Sequence, residues 1–305
     1  MADILLIQPP IRDFYLTHKR TIPYGLALIA AALSAKGFSV AIFDGLATSR
    51  SRPLALPDEM HYLKPFYSRP DCSPFGLFHQ YKHFGYSFEY LGKIVRESNA
   101  FLVGISSLFT PYAREALRAA EVAKTHLPKS YTVLGGHHPT ALPEAVMQHP
   151  AVDFIIRGEG EDALPLLAEA LRNGGSLKRV PGIVFRQSDS GLYKAAPAVL
   201  PDLDAQPQPL SGLIKTSFYR RNGHPSAVIV TSRGCPMQCS YCSLGRESVI
   251  SYRRRSVQNV IAEIELAVLN DGVRFIDFED ENLSLDSDWF LELLTAINTR
   301  FAEFN

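Results

Sequence analysis

Ile4-Leu5-Leu6-Ile7-Gln8-Pro9-Pro10 is a run of four aliphatic residues stopped by a proline pair, which predicts a strand buried on both faces. Pro23 opens a helix with Leu26, Ile29, Ala30 and Leu33 on one face, and Gly37 closes it. Val40-Ala41-Ile42-Phe43, ending at Asp44-Gly45, is a second buried strand. Strand, helix and strand in close succession make a βαβ unit, the seed of a parallel sheet.

The alternation continues downstream. Leu91, Ile94 and Val95 mark a short helix, and Phe101-Leu102-Val103-Gly104-Ile105 is a strand ending in Ser106-Ser107. A helix from Pro111 to His126 follows, with Ala113, Leu117 and Ala120 expected to face inward. Tyr131-Thr132-Val133-Leu134 runs into Gly135-Gly136-His137-His138-Pro139-Thr140. A short helix at Pro143 to Gln148 precedes the strand Phe154-Ile155-Ile156. After Gly158-Glu159-Gly160-Glu161 comes a helix with Leu164, Leu167, Ala168 and Leu171 on one face. Strands and helices in this order predict an N-terminal doubly wound parallel sheet.

In such a sheet a ligand binds outside the carboxyl ends of the strands. The small and polar residues collect there: Pro10, Ser106, Ser107, Gly135, Gly136, His137, Thr140, Gly158, Glu159, Gly160 and Glu161. Each turn taken alone reads better as a tight βα connection. Together they describe backbone that a large ligand can approach closely, and a side chain at Gly136 is expected to project towards it.

One stretch breaks the rhythm. Leu46 to Ser87 is rich in proline and in aromatic residues such as Tyr62, Phe66, Tyr67, Phe75, Phe78, Tyr81, Phe84 and Tyr86. It reads either as a lid packed on its own domain or as the lining of a cavity. Cys72 stands alone within it and reads as an ordinary thiol.

From Asn173 to Thr216 the chain is rich in glycine and proline. Gly182-Ile183-Val184-Phe185-Arg186 and Leu192-Tyr193-Lys194 are expected to form a small hairpin, with a proline-rich linker after it. The expected division is residues 1–180, a connecting segment 181–225, and a second domain 226–305. That domain opens with the apolar run Ala227-Val228-Ile229-Val230, followed at once by Thr231-Ser232-Arg233-Gly234-Cys235-Pro236-Met237-Gln238-Cys239-Ser240-Tyr241-Cys242.

Cys235, Cys239 and Cys242 have the spacing C-x3-C-x2-C and can converge on one metal site. A cubane iron–sulfur cluster held by three thiolates keeps one iron open, which implies catalysis rather than a closed structural site. Zinc would ask for a fourth ligand, and Ser243 to Asn305 contains neither Cys nor His. Tyr252-Arg253-Arg254-Arg255 reads as a solvated or phosphate-facing turn. Ser256 is expected to cap a helix with Val257, Ile261, Ile264 and Val268 inward. Phe275-Ile276-Asp277-Phe278 is the next strand, and Asp286 is expected to cap a last helix bearing Phe290, Leu293, Leu294, Ile297 and Phe301.

Composition excludes several classes. The 305 residues carry 31 Lys plus Arg against 31 Asp plus Glu, so no basic field marks a nucleic-acid binder. Four cysteines, three in one motif, argue for a reducing cytoplasm rather than a disulfide framework. The N-terminus lacks a basic n-region, and the longest later apolar stretch, Leu26 to Leu33, is far short of a membrane span.

The cysteine triplet, with an aromatic residue before its last member, resembles the signature of the radical S-adenosylmethionine superfamily. The N-terminal half is similar to the cobalamin-binding domain that precedes the radical domain in one branch of it, through the pieces quoted above from Ile4 to Glu161. The resemblance implies a Rossmann-like cobalamin-binding domain followed by the first βα units of a partial TIM-type barrel. It implies a 4Fe-4S cluster on the three cysteines, S-adenosylmethionine against Tyr241, Glu279 and Asp280, and cobalamin against the strand-end residues. In that family one electron from the cluster cleaves S-adenosylmethionine to a 5′-deoxyadenosyl radical. The activity expected is methyl transfer to an unactivated carbon of a small molecule, with radical oxidation or cyclisation as the alternative in the same branch. A non-catalytic cobalamin module is a further alternative. An electron donor such as flavodoxin or ferredoxin is the expected partner. No D-x-H-x-x-G occurs, so cobalt is expected to lack a lower histidine from that motif. Two βα units follow Ser226 where the superfamily barrel has about six, so the chain is expected to be a fragment whose second domain is open on one side and whose last helices have few partners.

Overall fold

The computed structural model describes residues 2–15, 22–66, 80–188, 191–209, 212–215, 217–237, 239–242 and 251–302. Cys72, Tyr67, Phe75 and Phe78 lie outside the described residues. The predicted alternation forms five parallel strands: β1 (Ile4–Gln8), β2 (Val40–Asp44), β3 (Leu102–Ser106), β4 (Tyr131–Gly135) and β5 (Phe154–Ile156). Their order across the sheet is β2-β1-β3-β4-β5. The expected hairpin, β6 (Ile183–Arg186) and β7 (Leu192–Lys194), extends this sheet as an antiparallel edge, β6 pairing with β5.

The period of two in β1 builds both halves of the core. Ile4 and Leu6 face α1 (Tyr24–Ala35), with Leu26, Ala30 and Leu33 buried there. Leu5 and Ile7 face the opposite layer, α2 (Phe88–Ser98) and α3 (Ala113–His126), where Leu91, Val95, Ala116 and Ala119 are buried. The inward face of α3 is Ala116, Ala119, Ala120 and Ala123, so Ala120 is buried as predicted, whereas Ala113 and Leu117 are only half-buried. An alanine-rich helix offers several near-equivalent stripes, and the packing partner chooses among them. A fourth helix, α4 (Gly160–Asn173), closes against α1 and buries Leu164, Leu167 and Ala168 as expected.

The described parts of the irregular stretch after Leu46 include short strands. Ser51–Pro53, Lys82–Phe84 and Ile11–Asp13 form a three-stranded antiparallel sheet around Ile11, Leu46 and Phe84. Tyr62 is 70% exposed and serves no core. The connecting segment is tied back by Tyr219, whose hydroxyl donates to the buried Asp44 carboxylate at the end of β2. Burial raises the Asp44 pKa despite that bond.

The second unit begins with β8 (His224–Ile229), parallel to β9 (Phe275–Phe278). Among the described residues β9 pairs on one side only. The helices α5 (Val257–Asp271) and α6 (Ser287–Arg300) do find partners: Val257, Val260, Ile264, Trp289 and Leu293 bury one another and Ile229. Leu294, expected inside, is 44% exposed, as is Leu291 at 59%. Ser256 caps α5 as predicted, accepting the Asn259 amide at 3.2 Å. Ser256→Ala is expected to cost about 1 kcal/mol; an unchanged denaturation midpoint would show that the cap contributes nothing. No described helix is long and apolar enough to cross a membrane.

Candidate functional site

The chain passes from β1 to β2 on one side of the sheet and then crosses to β3 on the other. The connections at the carboxyl ends of β1 and β3 therefore diverge and leave a crevice. A cavity of about 470 Å3 lies there, within the size range of small-molecule sites. Gln8 and Pro9, Ser106 and Ser107, Gly135 to His137, Thr140, and Gly158 to Glu161 form one wall. The start of α1, Tyr24 to Leu26, adds to it. The opposite wall comes from the second unit: Val228, Val230, Ser232, Arg233, Gly234, Glu279 and Glu281.

Ten of the eleven strand-end residues predicted from sequence line this cavity; the exception is Pro10, whose neighbour Pro9 takes the place. Pro10 is turned back under Gly45 and Gly85, where a Cβ on Gly85 would lie 3.0 Å from the Pro10 Cβ. The glycines have reasons of their own. Gly136 has φ +114°, and a Cβ there would sit 2.6 Å from the Ser107 carbonyl oxygen. Gly158 has φ +82°, and its Cβ would overlap the Ala198 carbonyl oxygen. The close approach at both is of backbone to backbone, so a side chain at Gly136 would strike Ser107 rather than project towards a ligand. Gly136→Val is expected to cost at least about 3 kcal/mol through its backbone angle and that overlap. A melting temperature equal to the parent protein's would refute this. Thr140 locks the same turn, its hydroxyl donating to the Gly136 carbonyl at 2.8 Å and accepting the Gly158 amide at 2.9 Å.

Two features of the wall suit a bound polar cofactor. The Ser107 hydroxyl is buried with no hydrogen-bond partner in the protein, an arrangement that is costly unless a ligand or water completes it. Gly135 has only the Ile156 carbonyl near its Cβ position, at 3.9 Å, so its space is open. His137 is exposed on the wall, whereas His138 is buried against Thr110.

Charge is arranged across the crevice. Glu159 is held by Arg253 through both oxygens, at 2.7 and 2.9 Å, and Glu161 pairs with Arg233 at 2.5 Å. Burial opposes ionisation of Glu159, but Arg253 and the Leu200 amide hold its pKa below the usual carboxylate range. The arginine run is therefore not a solvated turn. Arg254 pairs with Asp286 and lies over the Trp289 ring. Arg255 is 7% exposed and bound to Glu263, which also accepts from Tyr24 of α1 at 3.2 Å. Hydropathy cannot announce the pairing of Arg253, because Glu159 lies 94 residues away along the chain.

Asp280 and Glu279, predicted together, part company. The Asp280 carboxylate accepts the Thr231 amide and hydroxyl, at 3.1 and 2.8 Å, and the Ser232 hydroxyl at 2.6 Å. It fixes the segment ahead of the cysteines. Glu279 and Glu281 line the cavity instead. An extended chain sends alternate side chains to opposite sides, so the choice of Glu279 could have been extended to Glu281. Arg233 had no sequence signal beyond its position next to the cysteines.

Cys235 and Cys239 are half-buried and Cys242 is exposed, and all three are free of disulfides. The loop that carries them leaves the cavity wall at Gly234, and the Cys242 amide donates to the Cys239 carbonyl at 3.1 Å. Among the described residues, no three Cys, His, Asp or Glu side chains are gathered closely enough to hold a metal. Thiols do not attract one another, and a metal itself supplies the energy that gathers them. The donor set, three soft sulfurs on one short loop, fits an iron–sulfur cluster. Tyr241 is 90% exposed and does not reach the cavity.

A doubly wound sheet whose strand ends share a cavity with the segment leading into the cysteine loop defines the class. Residues 79–168 match the family model described as the B12 binding domain. The chain is 30% identical over 212 residues to an uncharacterized methyltransferase of Pyrococcus horikoshii, covering 69% of this chain and 46% of that protein. It is 32% identical over 220 residues to the anaerobic magnesium-protoporphyrin IX monomethyl ester cyclase of Cereibacter sphaeroides, covering 70% and 36%. Its fold resembles that of the radical S-adenosylmethionine methyltransferase TsrM of Kitasatospora setae, with a TM-score of 0.68 at 19% identity over 98% of this chain and 51% of that one. The chain thus carries a match to a B12 binding domain and is similar to proteins named as a methyltransferase and a cyclase. It spans about half the length, or less, of these curated relatives.

Proposed function

We propose that the chain is part of a cobalamin-dependent radical S-adenosylmethionine enzyme that methylates an unactivated carbon of a small molecule. The observation that carries this reading is the shared cavity: the strand ends of the first unit and the start of the cysteine loop form its opposite walls. Cys235, Cys239 and Cys242 would hold a 4Fe-4S cluster. Ser106, Ser107, Gly135, His137 and Thr140 would receive cobalamin. When bound, the cluster supplies an electron to S-adenosylmethionine and cobalamin carries the methyl group. Glu279 and Glu281 present carboxylates to the cavity, suited to an ammonium group, whereas the Asp280 carboxylate is committed to Thr231 and Ser232. The likeness to a cyclase supports radical cyclisation as the second reading. A flavodoxin or ferredoxin as electron donor and a cytoplasmic location belong to the same proposal.

Anaerobic reconstitution with iron and sulfide, followed by analysis of iron, acid-labile sulfide and bound corrinoid, tests it. Four iron and four sulfide per chain, with one corrinoid, is the expected result for this cluster type. Zinc without sulfide would overturn the cluster, and absence of corrinoid would overturn the cofactor of the first domain.

A further inference from the structure

Glu159 and Glu161 stand at the entry to α4 on the cavity wall, yet their carboxylates are taken by arginines of the second unit. Arg233 and Arg253 face each other in a short antiparallel pair, Ser232 opposite Arg254 and Arg233 opposite Arg253. This pair closes the base of the cysteine loop, and Arg233 is two residues from Cys235. Both strands of the base are thus fastened to one turn of the first domain. Arg253 holds Glu159 and donates to the Leu200 carbonyl, while Arg233 holds Glu161 and lies 3.3 Å from Glu159. Asp280 grips the same base from the other side. The two arginines balance the two glutamates. With Glu161 side chain 5% and Arg253 side chain 11% exposed, the cluster of charges is poorly screened and loses an essential partner if any member is neutralised.

We propose that Glu159 and Glu161 are positioning residues for the cysteine loop, acting through Arg253 and Arg233, rather than contacts for the occupant of the cavity. The loop is then held by the first domain, and its geometry depends on the turn that also borders the cofactor cavity. This rests on the reading of the three cysteines as cluster ligands only for the second part of the test below.

The first part uses the full chain without cofactors. Rates of iodoacetamide alkylation at Cys235 and Cys242 are read by peptide mass spectrometry in the parent protein, Glu161→Gln, Arg253→Gln and Arg253→Lys. The Gln variants are expected to raise the Cys235 rate relative to Cys242 by about tenfold, as local opening exposes the thiol. Arg253→Lys, which keeps the charge, is expected to restore most of the parent ratio, and either Gln variant suffices if the other does not fold. An unchanged ratio in a folded Gln variant overturns the clasp. The second part compares reconstituted proteins. Glu161→Gln is expected to alter the electron paramagnetic resonance signal of the reduced cluster while changing cobalamin affinity by less than about threefold. A tenfold or greater loss of cobalamin affinity with an unaltered cluster signal would make Glu161 a cofactor contact and overturn the proposal. If the parent protein takes up neither cluster nor corrinoid, the proposed function fails, and the alkylation ratios still decide the clasp.

Discussion

Cys239→Ala is expected to abolish the broad brown absorbance of the reconstituted protein, together with its acid-labile sulfide, while leaving the melting temperature of the cofactor-free chain nearly unchanged. Cys239 is the middle donor of the triplet, and its loss leaves two thiolates for four irons, too few to hold a cubane. The separation of the two readouts follows from burial. Cys239 is half-buried on a loop without regular structure, and the hydrophobic core of the second unit lies elsewhere, between Ile229, Val257, Val260, Ile264, Trp289 and Leu293. A variant that retains a full complement of iron and sulfide would show that the loop does not hold the cluster. A large fall in melting temperature of the cofactor-free chain would show that the thiol serves the fold.

Gly135→Leu is the second substitution with a large expected effect. Gly135 ends β4 at the cavity, its φ is not positive, and its Cβ position meets only the Ile156 carbonyl at 3.9 Å. A leucine there would extend into the space proposed for cobalamin, from a backbone angle that a side chain can adopt. Cobalamin affinity is expected to fall about 100-fold, equivalent to about 2.7 kcal/mol. The melting temperature of the cofactor-free protein is expected to stay within a few degrees of the parent, since the Cβ position has no close neighbour and borders the cavity. The neighbouring Gly136→Val should do the reverse and damage the fold first, because its turn packs on Ser107. Equal affinity for the parent and Gly135→Leu would place the corrinoid elsewhere.

The parallel sheet was legible because each buried strand is a short aliphatic run ended by glycine, proline or serine. Ile4 to Ile7 and Phe154 to Ile156 are buried on both faces, which leaves no polar position to blur the signal, whereas Val40 to Phe43 keeps its apolar run on the sheet edge with Val40, Ala41 and Ile42 half-buried. The cavity wall was legible for a related reason. Residues that end parallel strands must lie on one edge of the sheet, so Ser106, Ser107, Gly135 and Gly158 converge without any contact being known. Less was legible where competing patterns were close in energy. Nothing in an alanine-rich stretch distinguishes Ala113 and Leu117 from Ala116 and Ala119 until α2 is placed against it. Leu46 to Ser87 read as a loop because its strands are three residues long and Lys82–Phe84 pairs with Ser51–Pro53 and Ile11–Asp13, both far away in sequence.

The sequence by itself determined the α/β architecture, the caps at Ser256 and Asp286, the position of the cysteine loop after β8, and the strand ends where a ligand belongs. These depend on local periodicity, on turn chemistry and on donor spacing, all carried by residues close together in the chain. Only the tertiary structure decided what the charged residues do. Glu159 and Glu161 line the cavity and also pair with Arg253 and Arg233, the arginine run makes ion pairs with only Arg255 fully buried, and Asp280 braces Thr231 and Ser232. The cause is that an ion pair forms wherever two opposite charges are brought within about 4 Å. Glu159 and Arg253 are 94 residues apart along the chain, so only the docking of the second unit on the first brings them together.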